Sequence, residues 1–154
     1  MFSSPLLRLA EVVLAEARAR RLRIATAESC TGGLIGGLLT EVPGSSDVFE
    51  RGFIVYSNRA KSDMLDVPGD LIADMGAVSE PVARAMAEGA VANSHAHMAV
   101  AVTGIAGPGG GTALKPVGLV HIAAARENRS ILHEAHRFGD IGRSEVRMKT
   151  VEPR

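Results

Sequence analysis

The sequence lacks several features that would assign it to a protein class at once. Its 154 residues include one cysteine, no tryptophan and one tyrosine, and 17 basic side chains balance 17 acidic ones. A single cysteine, Cys30, excludes an internal disulfide. A formal net charge of zero leaves no basic field of the kind that holds nucleic acid by its phosphates, so we predict no nucleic-acid partner.

Long apolar runs are also missing. The longest ones fall well short of the roughly 20 residues that span a bilayer. The first twenty residues interleave acidic with basic side chains, unlike a signal peptide. We therefore expect a soluble, cytoplasmic protein with no membrane partner, and the length predicts a single domain over residues 1–154.

Apolar periodicity and turn residues predict an alternation of helices and strands. Helices are predicted at 5–22, 31–41, 58–65 and roughly 80–93, and from Arg143 onwards. Strands are predicted at 23–28, 48–57, 97–104, 117–125 and 130–138. Between 67 and 81 we expect one short helical turn at most.

This order of elements predicts a fold class. Helices separate the first three strands, which favours parallel crossovers, whereas a turn at 126–129 joins the last two strands as an antiparallel hairpin. We predict a three-layer α/β/α domain with a mixed, mostly parallel sheet of about five strands, in which the hairpin strand is antiparallel. Ligands of such sheets bind outside the carboxyl ends of the strands. Three stretches fall there: AESCTGG, YSNRAKSD and VTGIAGPGGGTALKP.

Ser29, in the first of these stretches, has two interpretations. It is either the N-cap of the following helix, a role for which Cys30 and Thr31 are rivals, or a nucleophile at a helix N-terminus. In the second case, free N–H groups at the start of the helix would stabilise an oxyanion or a phosphate. The chain contains neither G-x-S-x-G nor G-x-x-x-x-G-K-[ST], so neither an α/β-hydrolase nor a P-loop is indicated.

A serine nucleophile needs a base, and lysine is the candidate here. The histidines lie elsewhere in the predicted fold: His95, His97, His121, His133 and His136. Two of the three lysines, Lys61 and Lys115, lie in site-facing stretches. Burial and nearby cations such as Arg59 or Arg51 would lower the pKa of Lys61 towards neutrality. The alternative for Lys61 is a solvated surface side chain.

Other side chains compete for these roles. Ser57 stands one helical turn before Lys61 and is either its partner or a helix cap. Cys30 is either a rival nucleophile or a small packed thiol. The loop GIAGPGGGTALKP either donates N–H groups to an anion or is a flexible connection, and Thr103 can add a hydroxyl to the same crevice. No ligand spacing indicates a metal site.

Three stretches, in this order, resemble the CinA (competence/damage-inducible) C-terminal domain family, and specifically its stand-alone nicotinamide-nucleotide amidases. They are TAESCTGGLIGGLLTEVPGSSDVFERGFIVYSNRAKSDML, GAVSEPVARAMAEGA and AVTGIAGPGGGTALKPVG. The family usually reads glycine-aspartate-arginine near its end. Here Ile141 and Gly142 separate Asp140 from Arg143, so no role is carried over to Arg143.

The resemblance implies hydrolysis of the carboxamide of nicotinamide mononucleotide, by a serine–lysine mechanism without metal or cofactor. Ser29 would be the nucleophile and Lys61 its general base. The substrate-binding residues that it implies are Cys30, Thr31, Gly32, Tyr56, Thr103, Gly104, Gly107, Gly110 and Lys115. The glycine-rich loop and Lys115 would hold the substrate, at its phosphate.

Two alternatives stay open, and one further partner is expected. The chain could be an amidohydrolase acting on another small amide, or a non-catalytic nucleotide-binding module linked to competence or repair. The exposed edge of the predicted hairpin favours a symmetric homo-oligomer.

Overall fold

The computed structural model describes residues 1–152, and the predicted elements are found with shifts of a few residues at their ends. In chain order they are α1 (Ser4–Ala19), β1 (Ile24–Glu28), α2 (Leu34–Glu41), β2 (Phe49–Ile54), α3 (Asn58–Leu65), α4 (Gly69–Met75), α5 (Glu80–Ala92), β3 (Met98–Gly104), β4 (Leu119–Arg126), β5 (Leu132–Arg137) and α6 (Arg143–Val151). The stretch expected to hold one helical turn at most contains α4, a helix of 7 residues.

The five strands form one mixed sheet in the order β2-β1-β3-β4-β5. β1 pairs in parallel with β2 and β3, and β4 pairs antiparallel with both β3 and β5. The predicted three-layer fold with a mostly parallel sheet is therefore confirmed. The reversed strand is β4 rather than the last strand, because the loop from 105 to 118 contains no helix that could carry the chain back for a parallel pairing.

Helices cover both faces of the sheet. On one face, α5 packs against β1, β3 and β4 and also contacts α3 and α4. On the other face, α1 and α2 bury their apolar sides, with α6 beside them. None of the helices within residues 1–152 combines the length and the apolar content that a bilayer crossing requires.

The central strand β1 ends where the site is expected. All five of its residues are buried, and its last residue, Glu28, is paired with Ile54 on β2 and Val102 on β3. Residues that follow Glu28 are therefore flanked by the ends of two other parallel strands. The fold thus brings the predicted site-facing stretches of β1, β2 and β3 to one edge of the sheet.

The position of α3, which carries Lys61, depends on a close contact with α5. A Cβ atom added to Gly89 of α5 would lie 1.9 Å from the carbonyl oxygen of Leu65, the last residue of α3. That distance is far below any van der Waals contact, so only glycine allows the two helices to approach as they do.

We expect Gly89→Ala to lower the free energy of unfolding by about 2 kcal/mol. Overpacking costs about 1–3 kcal/mol, towards the upper end here because the clash is with backbone, and alanine recovers ~1 kcal/mol of helix propensity. Urea denaturation followed by circular dichroism measures the change.

Gly69→Ala is the matched control for this substitution. An added Cβ at Gly69, at the start of α4, meets no atom within 4 Å, so the free energy of unfolding should stay the same or rise by up to about 1 kcal/mol. Equal effects of the two substitutions would contradict the packing argument.

Candidate active site

A cavity of about 160 Å³ lies at the carboxyl ends of β1, β2 and β3. Its lining residues are Ser29, Cys30, Tyr56, Asn58, Lys61, Ala77, Val78, Thr103, Gly104, Ala106 and Arg143. Ser29 and Lys61 therefore both line this cavity. Four of the residues expected to bind substrate line it as well: Cys30, Tyr56, Thr103 and Gly104. The fold therefore brings the two predicted reacting side chains into one small cavity.

The amine of Lys61 contacts the hydroxyl of Ser29 directly. Its Nζ lies 3.0 Å from Ser29 Oγ, 3.0 Å from the Val55 carbonyl oxygen and 3.2 Å from the Tyr56 carbonyl oxygen. A neutral amine has two N–H donors and one lone pair. The two carbonyls can accept both N–H bonds, which leaves the lone pair for the hydroxyl proton of Ser29. This is the contact that a general base makes with its nucleophile.

Burial lowers the pKa of Lys61 below the ordinary lysine value. The side chain is only 1% exposed, and no carboxylate forms an ion pair with it among residues 1–152. The predicted contribution of neighbouring cations is wrong. Arg59 pairs with Asp63 at the surface, and Arg51 pairs with Glu50.

Ser57 is a helix cap and not a partner of Lys61. Its hydroxyl accepts a hydrogen bond from the N–H of Ala60 at 3.0 Å, at the start of α3. This bond satisfies one of the N–H groups left free at a helix start. Of the two serines considered for Lys61, the structure places Ser29 against the amine.

The helix after Ser29 begins later than predicted. α2 starts at Leu34, and its N-cap position is Gly33, with φ of 103° and no capping side chain. The N-cap roles proposed for Ser29, Cys30 and Thr31 are therefore wrong. Two consecutive glycines with positive φ, at 32 and 33, turn the chain before the helix can begin.

The carboxylate of Glu28 occupies the N-terminus of α2. It accepts hydrogen bonds from the N–H groups of Ile35 at 2.9 Å and Gly36 at 3.0 Å, and from the hydroxyl of Thr31 at 2.6 Å. A buried carboxylate is well matched to the positive end of a helix. Because these donors are taken, the start of α2 is not the free oxyanion site that we expected from the sequence.

The turn itself contains other N–H donors, next to Ser29. The N–H of Ser29 donates to the Val102 carbonyl, and the N–H of Gly32 donates to the Ser29 carbonyl. Within the described chain, the N–H groups of Cys30 and Thr31 have no acceptor on another residue. Of the two residues, only Cys30 lines the cavity, so its N–H is the donor that the turn can offer to an oxyanion.

Cys30 is a packed thiol next to Ser29. Its side chain is 5% exposed, and burial raises the pKa of the thiol to about 11. A thiol with this pKa is protonated at neutral pH and is a poor nucleophile. Gly104 allows this packing, since an added Cβ there would lie 3.2 Å from the Cys30 sulfur and 3.0 Å from the Leu119 carbonyl oxygen.

Arg143 and Tyr56 stand at the mouth of the cavity. The Arg143 guanidinium donates to the Tyr56 hydroxyl at 2.7 Å and to the Gly107 carbonyl at 2.7 Å. The Tyr56 side chain is largely exposed. Arg143 therefore reaches the site despite the two extra residues before it, and the glycine-rich loop contributes Gly107 by its carbonyl.

Thr103 fixes another wall of the cavity. Its hydroxyl donates to the carbonyl of Ala77 at 2.9 Å, and both residues line the cavity. The wall formed by Ala77 and Val78, in the connection between α4 and α5, was not expected from the sequence. No local signal marks these two apolar residues as site residues.

Several predicted substrate-binding residues do not line this cavity. Thr31 is buried against Glu28, and Gly32 is exposed beside Arg147. Gly110 lines a separate cleft of about 590 Å³. Lys115 donates to the Met75 carbonyl at the end of α4 and lines a third cleft.

The histidines lie away from the cavity, as expected. His121 Nδ1 lies 2.9 Å from His133 Nε2 on the neighbouring strand, and His97 accepts from the Arg23 N–H at the opposite end of the sheet. None of the five is among the residues that line the Ser29 cavity. Within the described chain, no group of three or more histidine, cysteine and acidic side chains is arranged to hold a metal ion.

The lowered pKa of Lys61 predicts a specific pH dependence of stability. Between that lowered value and the ordinary value of about 10.4, the unfolded chain binds a proton at Lys61 that the folded protein does not. The stability of the unmodified protein should therefore rise with pH over this range, relative to Lys61→Met, which has no such proton. Urea denaturation of both proteins between pH 6 and pH 10 tests this. A difference that stays constant with pH would contradict it.

Comparison with known proteins places the chain in a family. The model of the CinA C-terminal domain matches residues 6–153. A putative competence-damage inducible protein of Caldicellulosiruptor bescii is 52% identical over 86% of this chain and 32% of its own length. A CinA-like protein of Akkermansia muciniphila is 56% identical over 76% of this chain and 28% of its own length. The chain thus spans about a third of these relatives.

Solved structures agree in fold. The competence/damage inducible protein CihA of Agrobacterium tumefaciens has a TM-score of 0.96 and 52% identity, covering 98% of this chain and 92% of its own. The competence damage-inducible protein A of Klebsiella pneumoniae has a TM-score of 0.90 and 31% identity, covering 96% of this chain and 90% of its own. The chain belongs to the CinA C-terminal domain family.

Proposed function

We propose that this chain hydrolyses the carboxamide of nicotinamide mononucleotide to nicotinate mononucleotide and ammonia, with Ser29 as nucleophile and Lys61 as general base. The observation that carries the proposal is the 3.0 Å contact between Lys61 Nζ and Ser29 Oγ, both buried at one cavity. The relatives are named for competence and damage rather than for a reaction. The substrate is inferred from the resemblance to nicotinamide-nucleotide amidases.

The first step forms a bond between Ser29 Oγ and the carbonyl carbon of the amide. The hydroxyl proton passes to the lone pair of neutral Lys61, and the carbonyl electron pair moves onto oxygen to give a tetrahedral oxyanion. The N–H of Cys30, which lines the cavity, is the donor that we assign to this oxyanion. Each such donor is worth about 10²–10³ in rate where it has been removed from other enzymes.

The second step releases ammonia. The Lys61 ammonium gives its proton to the amide nitrogen, the C–N bond breaks as the carbonyl forms again, and the nicotinoyl group, still carrying its ribose phosphate, stays on Ser29 as an ester. Water then attacks the ester, gives one proton to Lys61, and the C–O bond to Ser29 breaks as Oγ recovers a proton. The carbonyls of Val55 and Tyr56 accept from the amine throughout, so it keeps its position while its charge alternates.

The cavity is matched to the reacting end of such a substrate. A volume of about 160 Å³ suits a pyridine carboxamide, so the ribose phosphate would extend past the mouth. Arg143 is the cation at that mouth. The predicted role of the glycine-rich loop and Lys115 at the phosphate stays a prediction, as do the expected homo-oligomer and the cytoplasmic location.

We expect Ser29→Ala and Lys61→Ala each to lower the release of ammonia from nicotinamide mononucleotide by at least about 10³-fold, as for other nucleophiles and bases that act as a unit. Ammonia production by purified protein, followed with a coupled assay, measures this. Circular dichroism shows whether each variant stays folded.

Ser57→Ala and Cys30→Ala are the controls for the nucleophile. Ser57 caps α3 and Cys30 carries a protonated thiol, so we expect both variants to keep most of the activity. Loss of turnover in Ser57→Ala but not in Ser29→Ala would move the nucleophile to Ser57. Loss in Cys30→Ala alone would indicate a thiol enzyme.

The same assay separates the alternative functions. Binding of nicotinamide mononucleotide without turnover by the unmodified protein would favour a nucleotide-binding module. Faster turnover of another small amide would keep the Ser29–Lys61 chemistry and change the substrate.

We also expect the rate to depend on the proton of Lys61. Because burial lowers the pKa of this amine, kcat/KM should rise with pH through an ionisation below the ordinary lysine value of about 10.4. A pH–rate profile from pH 5 to pH 10.5 measures it. A profile that keeps rising up to the ordinary lysine value would contradict a neutral Lys61 near pH 7.

A further inference from the structure

We infer that Arg147 is a positioning residue for the proposed reaction: it holds the turn that follows Ser29 by two carbonyls, so that the Ser29 hydroxyl and the N–H of Cys30 keep their places at the cavity. This inference rests on the proposed function. It concerns a residue 118 positions away from the nucleophile, on α6 at the other end of the chain.

Arg147 donates hydrogen bonds to two carbonyl oxygens of the turn that follows Ser29. Its Nε donates to the Cys30 carbonyl at 3.0 Å, and one terminal nitrogen donates to the Thr31 carbonyl at 3.2 Å. Both bonds are partly buried, and the guanidinium has no carboxylate partner among the ion pairs of residues 1–152. The positive charge of Arg147 is therefore directed at the backbone next to Ser29.

The position of Cys30 connects this contact to the reaction. Cys30 follows Ser29 directly and lines the cavity, and its N–H has no acceptor on another described residue. Arg147 binds the carbonyl of Cys30 and, across the next planar trans peptide unit, the carbonyl of Thr31. A turn held at these two carbonyls keeps the Ser29 hydroxyl beside Lys61 and the N–H of Cys30 in place next to it.

The charge of Arg147 reaches the turn electrostatically as well. It acts to lower the pKa of the Cys30 thiol, against the larger effect of burial. An anion that forms on a substrate bound to Ser29 would feel the same field. Glu28 holds the turn from its other side, through the Thr31 hydroxyl and the start of α2.

Three variants test the inference. Arg147→Met removes the charge and both hydrogen bonds. Arg147→Lys keeps the charge but lacks the planar guanidinium that donates to both carbonyls at once. Lys149→Met removes a positive charge from an exposed position of the same helix and serves as the control. Steady-state kinetics with nicotinamide mononucleotide and urea denaturation are measured for each.

We expect Arg147→Met to lower kcat by about 10- to 100-fold, the effect of misplacing a reacting group by about 1 Å, with KM changed much less. Arg147→Lys should recover part of kcat, and added guanidinium ion at millimolar concentration should recover part of kcat in Arg147→Met. Lys149→Met should keep the kcat of the unmodified protein. A merely structural tether for α6 would lower stability without this selective loss of kcat or its recovery.

Labelling of Ser29 by a fluorophosphonate separates this inference from the choice of substrate. In that reaction Ser29 Oγ bonds to phosphorus, fluoride leaves, and Lys61 takes the proton. If the unmodified protein is labelled but does not hydrolyse nicotinamide mononucleotide, the proposed substrate is wrong, and slower labelling of Arg147→Met still supports the positioning role.

Three results would overturn the inference. They are a kcat in folded Arg147→Met equal to that of the unmodified protein, an effect on KM alone, and an unchanged rate of fluorophosphonate labelling. A protein that neither turns over substrate nor reacts at Ser29 would overturn the proposed function and the positioning role together.

Discussion

The site depends on one buried amine that has no carboxylate partner in the described chain. Lys61 lies on the first turn of α3 and reaches back to the carbonyls of Val55 and Tyr56, the two residues after β2. Because β2 ends at Ile54, these carbonyls lie beyond the last paired residue of the strand and are free to accept from the amine. The end of a strand and the start of a helix together therefore create the position in which a lysine can act as a base towards Ser29.

The turn that carries Ser29 is held by opposite charges on two sides. The buried carboxylate of Glu28 accepts hydrogen bonds from N–H groups at the start of α2 and is not paired with a cationic side chain of the described residues. The guanidinium of Arg147 donates to the carbonyls of Cys30 and Thr31 and is not paired with a carboxylate within residues 1–152. Glu28 and Arg147 do not form an ion pair with each other, so both charges act on the peptide groups of the turn that lies between them. A turn fixed in this way can keep the unpaired N–H of Cys30 available to a substrate.

Much of the fold was predictable, because its signals are local. Apolar runs bounded by turn residues predicted the five strands, and the rule that parallel strands share a carboxyl edge brought Ser29, Lys61, Tyr56 and Thr103 together. The direction of β4 was missed, because the turn at 126–129 shows only that β4 and β5 run antiparallel to each other and not which of the two is reversed. The late start of α2 depends on the backbone angles of Gly32 and Gly33, which capping preferences alone do not reveal.

The missed parts of the site rest on contacts between residues far apart in sequence. Arg143 and Arg147 lie on the short helix α6. Its amphipathic pattern predicts which face is buried, but it does not predict the residues to which these two arginines donate hydrogen bonds. Lys115 looked free for a phosphate, but it donates to the carbonyl of Met75, at the end of a helix that the pattern reduced to a turn. The sequence therefore did not predict this contact of Lys115, and the role of Lys115 at the phosphate stays a prediction.

The lowered pKa of Lys61 depends on the close packing around its side chain. A buried lysine favours its neutral form only while water stays out, because hydration would restore the charged form. The approach of α5 to α3 at Gly89, without room for a methyl group, keeps the helix of Lys61 pressed against the core. Looser packing there would admit water and raise the pKa of the amine back towards that of a surface lysine. In the proposed mechanism, the base that acts on Ser29 thus depends on a contact between α3 and α5 at Gly89, which does not line the cavity.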